Sequence, residues 1–385
     1  MLLNAAMVTE VDEHLGRTHW ERTEETKGYR NGYRKRSLVV GSGPIEVDVP
    51  KVTGSNEQFS IQSIRAWQRV SDEVRRTLPL MYAEGLSTRD FARATEPLWQ
   101  GVGVSRSSIS RANKELYEQF DVWRGRKLSS LPILHLFLDG YYERVRQGAR
   151  EKEGILVAHG VLLDGSRELL GVQLGPRESE KAWQAVLDDL VRRGLEEPAL
   201  IITDGSQGLI RGIKSVWPEA PRQRCTAHKT RNVLTRVPRK SQAKVKRDLV
   251  KIFHAPDLDE AQQALKAFLA KYGDALPTAC ETLCRNLDDC LTFYRFPEVH
   301  WKRIRTSNAI ERAFKEVRRR TRVIENFPNE KSALVVVWAT IEQDRLKWRG
   351  IKLNDDLREE TFKAAEQIKK KPIRIKAAAD YLKAA

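Results

Sequence analysis

The chain has 385 residues, with 68 lysines and arginines against 52 aspartates and glutamates, which gives a formal charge of +16 and a sequence pI of about 9.7. This length allows two or three domains with a large core. An apolar fraction of 41% and a charged fraction of 31% are ordinary for a globular protein, so wholesale disorder is not indicated. The positive excess favours a polyanionic partner, of which nucleic acid is the usual one and an acidic membrane surface the rival.

The sequence also bears on location. No apolar run approaches the ~20 residues of a membrane-spanning helix, and no signal-peptide pattern opens the chain. Four cysteines without a secretory signal predict reduced thiols. We therefore expect a cytoplasmic protein without a membrane partner.

Residues 1–60 predict a basic segment with a β-hairpin. A helix is predicted at Leu2–Leu15, and β-branched strands flank Gly41-Ser-Gly43. Cations and tyrosines lie just before the hairpin. The cations could bind phosphates, and the tyrosines could stack on a sugar or base. A solvated basic loop explains the same residues equally well. The cations are Arg30, Arg34, Lys35 and Arg36.

Residues 61–128 predict a helix-turn-helix-like DNA-binding domain. Helical patterns at 72–82 and 88–96 precede a third helix, for which Ser105 is a suitable N-cap. Any three-helix bundle leaves a polar outer face, but the basic charge of the whole chain favours DNA. The recognition face would carry Arg106, Ser107, Ser110, Arg111 and Lys114.

Two short apolar runs each end in Asp-Gly. The run at 133–138 leads into Asp139, and the run at 199–203 leads into Asp204. Such runs are typical of strands buried on both faces, where an isolated carboxylate is costly unless something pairs with it. Two acids at the same end of one sheet predict a site for Mg²⁺ or Mn²⁺. The alternative is that each Asp-Gly is merely a turn.

The region at 129–240 predicts a mixed α/β sheet covered by helices. Three hairpin-connected strands are followed by a helix, a strand, a helix and a short strand. Residues 241–303 then predict an all-α insertion, with helices at 243–253, 258–272 and 276–291. An insertion can separate two parts of one site in sequence while leaving them together in space.

Residues 304–349 are predicted to form the last helices of the core. Residues 350–385 are predicted to form a basic tail, which either binds DNA or is frayed. In the helix at 306–322, Asn308 and Glu311 suggest a capping box. Cations lie on the same side of this helix as Glu311, an arrangement in which the carboxylate could bind a metal ion while the cations bind DNA phosphate. Alternatively, Glu311 only completes the capping box and the cations are solvated. These cations are Lys315, Arg318 and Arg322.

Three carboxylates that converge on two divalent ions can perform in-line displacement at phosphorus. No Gly-rich phosphate loop with Lys-Ser/Thr is present, which argues against an NTPase. No His-Glu-x-x-His or nucleophile-elbow motif is present either.

Taken together, the motifs resemble the bacterial DDE transposases of the mutator type, the insertion-sequence-256 group. The resemblance extends from Tyr29 to about Trp338. The resembling motifs are Phe137-Leu-Asp-Gly140, Thr203-Asp-Gly205, Cys225-Thr-Ala-His228 and the segment from Thr306 to Arg320.

This resemblance implies a ribonuclease-H-like core with a helical insertion before the last acid. It implies that Asp139, Asp204 and Glu311 are the catalytic and metal-binding triad, with Mg²⁺ as cofactor and Mn²⁺ as a substitute. The partner would be double-stranded DNA, both terminal inverted repeats and target, with a homodimer acting on it in the bacterial nucleoid. The segment before Tyr29 is short for the group, which would leave out part of the usual N-terminal DNA-binding region.

The implied activity is cutting of transposon ends and joining of the 3′-OH to target DNA. Two other hypotheses fit the same residues: a non-catalytic helix-turn-helix protein, and a metal-dependent nuclease without joining activity. For Cys225 and His228 we favour a structural role near the active site, with His228 near the phosphodiester. A zinc site would need further ligands, and two of the candidates have a spacing typical of buried helix packing. The zinc candidates are Cys280, Cys284, Cys290 and His300.

Overall fold

The computed structural model forms two compact units, Met1–Gln119 and Phe120–Ala385. The helices predicted at 72–82 and 88–96 lie largely outside the described residues, so the helix-turn-helix stays a prediction. The structure describes residues 2–21, 23, 27–55, 59–65, 68–74, 77, 81, 106–143, 153–175, 179–321, 327, 329–345 and 350–384.

The first unit contains a helix and a hairpin. Helix α1 spans Leu2–Leu15, and strands β1 (Tyr29–Val40) and β2 (Gly43–Thr53) pair in antiparallel fashion. Buried side chains of α1 and β2 form a small core. The helix and hairpin are as predicted, but the basic cluster lies inside β1 rather than before it. Helix α2, Arg106–Gly125, begins close to the predicted Ser105 cap.

A five-stranded mixed sheet is the centre of the second unit. Strands β3, β4 and β5 form an antiparallel meander, and β6 and β7 extend the sheet in parallel, in the order β5-β4-β3-β6-β7. This confirms the predicted mixed α/β sheet. The strands are β3 Ile133–Glu143, β4 Glu153–Leu162, β5 Arg167–Gly175, β6 Leu200–Thr203 and β7 Arg222–Arg224.

Helices α3 (Glu180–Arg192) and α4 (Gln207–Val216) cover the sheet. The Ser179 side chain caps α3 by accepting a hydrogen bond from the Ala182 N–H at 3.2 Å. Apolar residues recur at helical spacing along α3 and bury its inner face in the core of the sheet. The shared core includes Leu136, Leu138, Leu156, Trp183, Leu187, Ile201, Leu209 and Ile213.

Beyond β7 the chain is helical, which agrees with the predicted insertion. The helix predicted at 276–291 is wrong, because the chain breaks at Asn286, whose φ of 56° is left-handed. Asparagine tolerates this conformation better than most residues. The helices are α5 Thr226–Leu234, α6 Arg239–Phe253, α7 Leu258–Tyr272, α8 Pro277–Cys284, α9 Leu287–Cys290 and α10 Glu298–Ile304.

Four helices close the chain: α11 Asn308–Thr321, α12 Glu330–Arg345, α13 Asp355–Lys370 and α14 Lys376–Ala384. The basic tail is packed against the rest of the second unit rather than frayed, as hydrogen bonds from two backbone N–H groups show. The Ile351 N–H donates to the Gly165 carbonyl at 2.9 Å, and the Ile375 N–H donates to Asp288 at 2.8 Å. Gly165 is required there, since its φ is +83° and a Cβ would lie 1.9 Å from the Ile351 oxygen. Within the described residues, no helix is long and apolar enough to cross a bilayer.

Candidate active site

The strand register places Asp139 and Asp204 side by side. Leu138 of β3 pairs with Thr203 of β6 in a parallel ladder, and each acid is the next residue in its strand direction. Neighbouring strands lie about 4.8 Å apart. The predicted approach of these two acids is therefore seen in the backbone.

The prediction that both acids lie at strand ends is only half right. Asp204 follows the last residue of β6 and enters a turn, in which Gly205 has a φ of +84°. Asp139, in contrast, lies within β3, because β4 continues to pair beyond it, with Tyr141 opposite Ile155. The first Asp-Gly is thus not a turn, and Asp139 is held by hydrogen-bonded backbone on both sides.

Asp139 is a buried acid with close carboxylate neighbours. Its side chain accepts a hydrogen bond from the Gly140 N–H at 2.9 Å, and its Oδ2 is buried without a hydrogen bond of normal geometry among the described residues. Burial raises its pKa well above the usual range, Asp204 and more weakly Glu311 raise it further, and the Gly140 N–H and nearby Ser307 hydroxyl oppose the rise. Without a cation, Asp139 therefore holds its proton to a higher pH than an ordinary aspartate.

Glu311 projects from the first turn of α11. The Ser307 carbonyl accepts the first helical hydrogen bonds, from Ile310 at 3.0 Å and Glu311 at 3.2 Å, so Ser307 and not Asn308 is the N-cap. The predicted capping box is therefore wrong. The apolar side of this helix is buried, at Ile310, Ala313, Phe314 and Val317.

The Glu311 side chain instead contacts α5. Its Oε1 accepts a hydrogen bond from the Arg231 guanidinium and lies 3.4 Å from His228 Nδ1. Its Oε2 accepts no hydrogen bond from any residue that the structure describes. Burial and Arg231 lower the pKa of His228, against the opposing effect of Glu311 and Asp204. The balance of these effects favours the neutral form of the His228 imidazole, which lies beside Glu311.

Cys225 connects the elements that carry Asp204 and Glu311. Its N–H donates to the Thr203 carbonyl at 2.7 Å, and its Sγ accepts from the Ser307 N–H at 3.3 Å. Thr226 adds a hydrogen bond from its N–H to the Arg305 carbonyl at 3.0 Å. The end of β6 and the start of α11 are thereby fixed together, although the helical block separates them in sequence.

A second possible metal site is formed by Cys225, His228 and Glu311. Their ligand atoms all lie within 4.8 Å of one another. Two features oppose a cation there. Arg231 already contacts the same Glu311 oxygen, and burial raises the pKa of the Cys225 thiol, so a cation would have to displace a guanidinium and a proton. The other zinc candidates, Cys280, Cys284, Cys290 and His300, do not join this trio.

The cations predicted to contact DNA differ in their exposure and in their partners within the protein. In the first unit, Arg30 pairs with Asp12, Lys35 lies 3.3 Å from Glu46, Arg36 donates to the Arg65 carbonyl at 3.1 Å, and Arg34 is exposed. Lys114 of α2 lies 3.9 Å from Glu118. On α11, Lys315 is exposed and Arg318 lies over the Tyr141 ring, 5.7 Å from its centroid. The side chains of Arg106, Ser107 and Arg111, together with the whole of Arg322, lie outside the described residues.

Sequence reasoning missed Arg231, although a signal was present. Cys225, His228 and Arg231 follow one another at intervals of three residues, a spacing that places the last two on one face of α5. The cations that lie among α5, α6, α10 and α11, such as Lys246 and Arg303, were also missed, because they come from distant segments.

The raised pKa of Asp139 leads to a testable pH dependence. The folded state binds more protons than the unfolded state between the ordinary value of 3.8 and the raised pKa, so its stability falls as pH rises through that window. Asp139→Asn should remove this fall in metal-free protein. In urea unfolding with EDTA at several pH values, the stability advantage of the variant should grow with pH, by at most about 1.4 kcal/mol per unit. A constant difference between variant and parent would contradict the proton assignment.

Comparisons with known proteins agree with this picture. Residues 1–350 match the family described as Transposase, Mutator family. The transposase for insertion sequence element ISRM5 of Rhizobium meliloti is 37% identical, over 95% of this chain and 92% of the relative. The transposase for IS406 of Burkholderia multivorans is 34% identical, over 90% and 89%. The transposase for IS256 in transposon Tn4001 of Staphylococcus aureus is 30% identical, over 90% and 89%. The resemblance found in the motifs is thus confirmed, and the chain belongs to the Mutator family of transposases.

Proposed function

We propose that this chain cuts the ends of an insertion sequence and joins the freed 3′-OH to target DNA, with Asp139, Asp204 and Glu311 as its catalytic acids. The observation that supports this most is the parallel pairing of Leu138 with Thr203, which places Asp139 and Asp204 side by side on neighbouring strands. Asp204 and, more weakly, Glu311 also raise the pKa of Asp139, as carboxylates within electrostatic range of one another do. Perturbed acids of this kind are concentrated at functional sites.

The fold supports the same proposal. An antiparallel meander followed by two parallel strands, with helices against the sheet, is compatible with the ribonuclease-H-like core that the resemblance implies. Asp139 lies on the first strand of that sheet and Asp204 follows the fourth. Glu311 comes after the helical block, where the resemblance expects the last acid.

The donor set fits a hard divalent cation. A buried Asp139 oxygen without a good hydrogen bond and the free Oε2 of Glu311 offer carboxylate oxygens of the kind that Mg²⁺ and Mn²⁺ prefer. Mutual repulsion among the acids would be relieved by positive charge between them. When bound, such ions activate the attacking oxygen and stabilise the leaving one.

The remaining residues would prepare the site for DNA. Arg231 holds Glu311 by one oxygen, beside which His228 also lies, and the other oxygen is left available. Arg231, about half exposed, can exchange this contact for a DNA phosphate, since guanidinium groups bind phosphate and carboxylate in the same way. His228, as a neutral imidazole, can accept or donate a proton near the phosphodiester. The positions of Arg231 and His228 beside Glu311 support these roles.

Cys225 would act as a positioning residue. Cys225→Ala removes the acceptor of the Ser307 N–H, and a buried donor left without a partner costs about 1–3 kcal/mol. We expect lower stability by this amount and cleavage reduced about tenfold, with a smaller loss in Cys225→Ser, whose hydroxyl can still accept. Cys280→Ala, which truncates an equally buried thiol remote from these contacts, is the matched control. If the two alanine variants lost cleavage equally, Cys225 would have no special position.

Two assays separate the proposal from its rivals. The first incubates the protein with Mg²⁺ and duplexes that end in the element's inverted repeats; a non-catalytic DNA-binding protein would bind them without cutting. The second supplies pre-cut ends and a target plasmid. The proposal expects strand-joined products, whereas a nuclease without joining activity would give none. Sedimentation of the protein with two DNA ends would test the expected homodimer.

A further inference from the structure

A basic cavity of about 630 Å³ lies in the second unit among α5, α6, α10 and α11. Among the residues that the structure describes, seven cations and one histidine line it, and no aspartate or glutamate does. The predicted DNA-contacting residues do not include any of these side chains. They are Arg167, Arg231, Lys246, Lys302, Arg303, Arg305, Arg312 and His254.

The charge of the basic cavity is largely uncompensated. No carboxylate in the described part of the chain forms an ion pair with Lys246, Lys302, Arg303, Arg305 or Arg312. Arg167, Arg303 and Arg312 line the same cavity, and burial together with the charges of the other two guanidinium groups lowers the pKa of Arg167 to about 10. Like charges gathered in this way destabilise the fold unless an anion joins them.

The basic cavity adjoins the candidate active site. Arg231 lines it and also contacts Glu311. Asn308 and Arg312 line it from the first turns of α11, on either side of Glu311 in sequence, and Ala227 lines it next to His228. An anion in the cavity would therefore lie close to Glu311.

Part of the wall is apolar. Leu234, Val250 and Phe253 contribute to it, and Val250 is 44% exposed. The volume lies in the range of pockets that enclose small ligands, and is too small to enclose a duplex. Cations bind the phosphate of a nucleotide, and an apolar wall can pack against the face of its base.

We propose that the basic cavity binds a single DNA strand beside the scissile phosphate, with phosphates on its arginines and a base against Leu234 and Val250. This rests on the proposed function in taking DNA as the polyanion. It goes beyond the three acids in assigning a specific binding surface to one strand.

The test compares two double variants that each remove two positive charges. Arg303→Gln with Arg312→Gln alters the basic cavity, whereas Arg247→Gln with Arg319→Gln alters cations on α6 and α11 that do not line it. Binding of a fluorescein-labelled 20-nucleotide single strand, and of the duplex of equal length, is followed by anisotropy in EDTA from 50 to 200 mM NaCl. EDTA excludes cleavage, so the readout is independent of catalysis.

The cavity variant should bind the single strand at least about fivefold more weakly at 100 mM NaCl, and its salt slope should fall by about 1.4, or about 0.7 for each lost phosphate contact. The control should change less than about twofold. The loss on duplex should be smaller than the loss on single strand. Equal losses in the two variants, or equal losses on the two DNAs, would overturn the proposal.

Melting curves verify that both double variants are folded. If the cavity variant does not fold, Lys246→Gln and Arg247→Gln are a second matched pair, since both residues are exposed neighbours on α6 and only Lys246 lines the cavity. Wild-type protein that binds through the cavity but never cleaves with Mg²⁺ would refute the proposed function and leave this inference intact. Cleavage by a cavity variant whose single-strand binding is unchanged would refute this inference and leave the proposed function intact.

Discussion

Asp204→Asn is expected to reduce Mg²⁺-dependent cleavage of transposon-end DNA by at least about 10³-fold, the scale of loss found when one strong transition-state contact is removed. Asparagine keeps the shape and the Asx hydrogen bond to the Ser206 N–H, seen here at 2.8 Å, but lacks the negative charge that a divalent ion requires. DNA binding in EDTA should be unchanged or slightly tighter, because one negative charge is lost. Gel-resolved cleavage of a labelled duplex measures the first effect and anisotropy the second.

Asp188→Asn is the matched control for this change. Asp188 is exposed on α3, so the same chemical substitution there should leave cleavage within about twofold of the parent, as is usual for surface positions. If Asp204→Asn retained cleavage within tenfold of the control, Asp204 would not be a catalytic acid. Loss of both cleavage and binding would indicate a folding defect, which a melting curve would detect.

Trp183→Ala is expected to lower the free energy of unfolding by about 3–5 kcal/mol, the range for truncation of a buried aromatic residue. Trp183 is fully buried between α3 and the sheet. It also meets α4, where a Cβ on Gly212 would lie 3.1 Å from the Trp183 Cβ. The tryptophan thus fixes both covering helices against the strands. Urea unfolding followed by circular dichroism gives the value.

The control for this variant is Val191→Ala on the same helix, where the side chain is 42% exposed and a loss below about 1 kcal/mol is expected. Because Asp204 lies between β6 and α4, the tryptophan variant should also lose cleavage at temperatures where it is still mostly folded. A stability loss no larger than that of Val191→Ala would mean that α3 does not carry the core described for it.

Local sequence patterns were sufficient for the elements that carry the two aspartates. The apolar runs before Asp139 and Asp204 predicted buried strands, because such runs have few other stable locations. The patterns did not reveal that β3 continues past Asp139. That extension depends on pairing with β4. Such pairing is a contact between two segments and cannot be read from the residue pattern of either segment alone.

The start of α11 shows the same limit. Asn308 and Glu311 have capping-box spacing, yet Ser307 is the cap, and its N–H is bound by the thiol of Cys225 from a distant part of the chain. Glu311 is drawn to Arg231 and His228 instead. The basic cavity was unpredictable for a related reason, since its cations come from separate segments that only the fold brings together. The helix-turn-helix and the DNA contacts assigned to it stay predictions.

The most direct measurement is anomalous diffraction at the manganese edge from crystals of the protein bound to a transposon-end duplex and soaked in Mn²⁺. The proposed function predicts manganese peaks in contact with carboxylate oxygens of Asp139, Asp204 and Glu311, and their loss in Asp139→Asn crystals. Manganese found only at the Cys225–His228 side of Glu311, or at none of the three acids in crystals whose DNA has been cut, would contradict it.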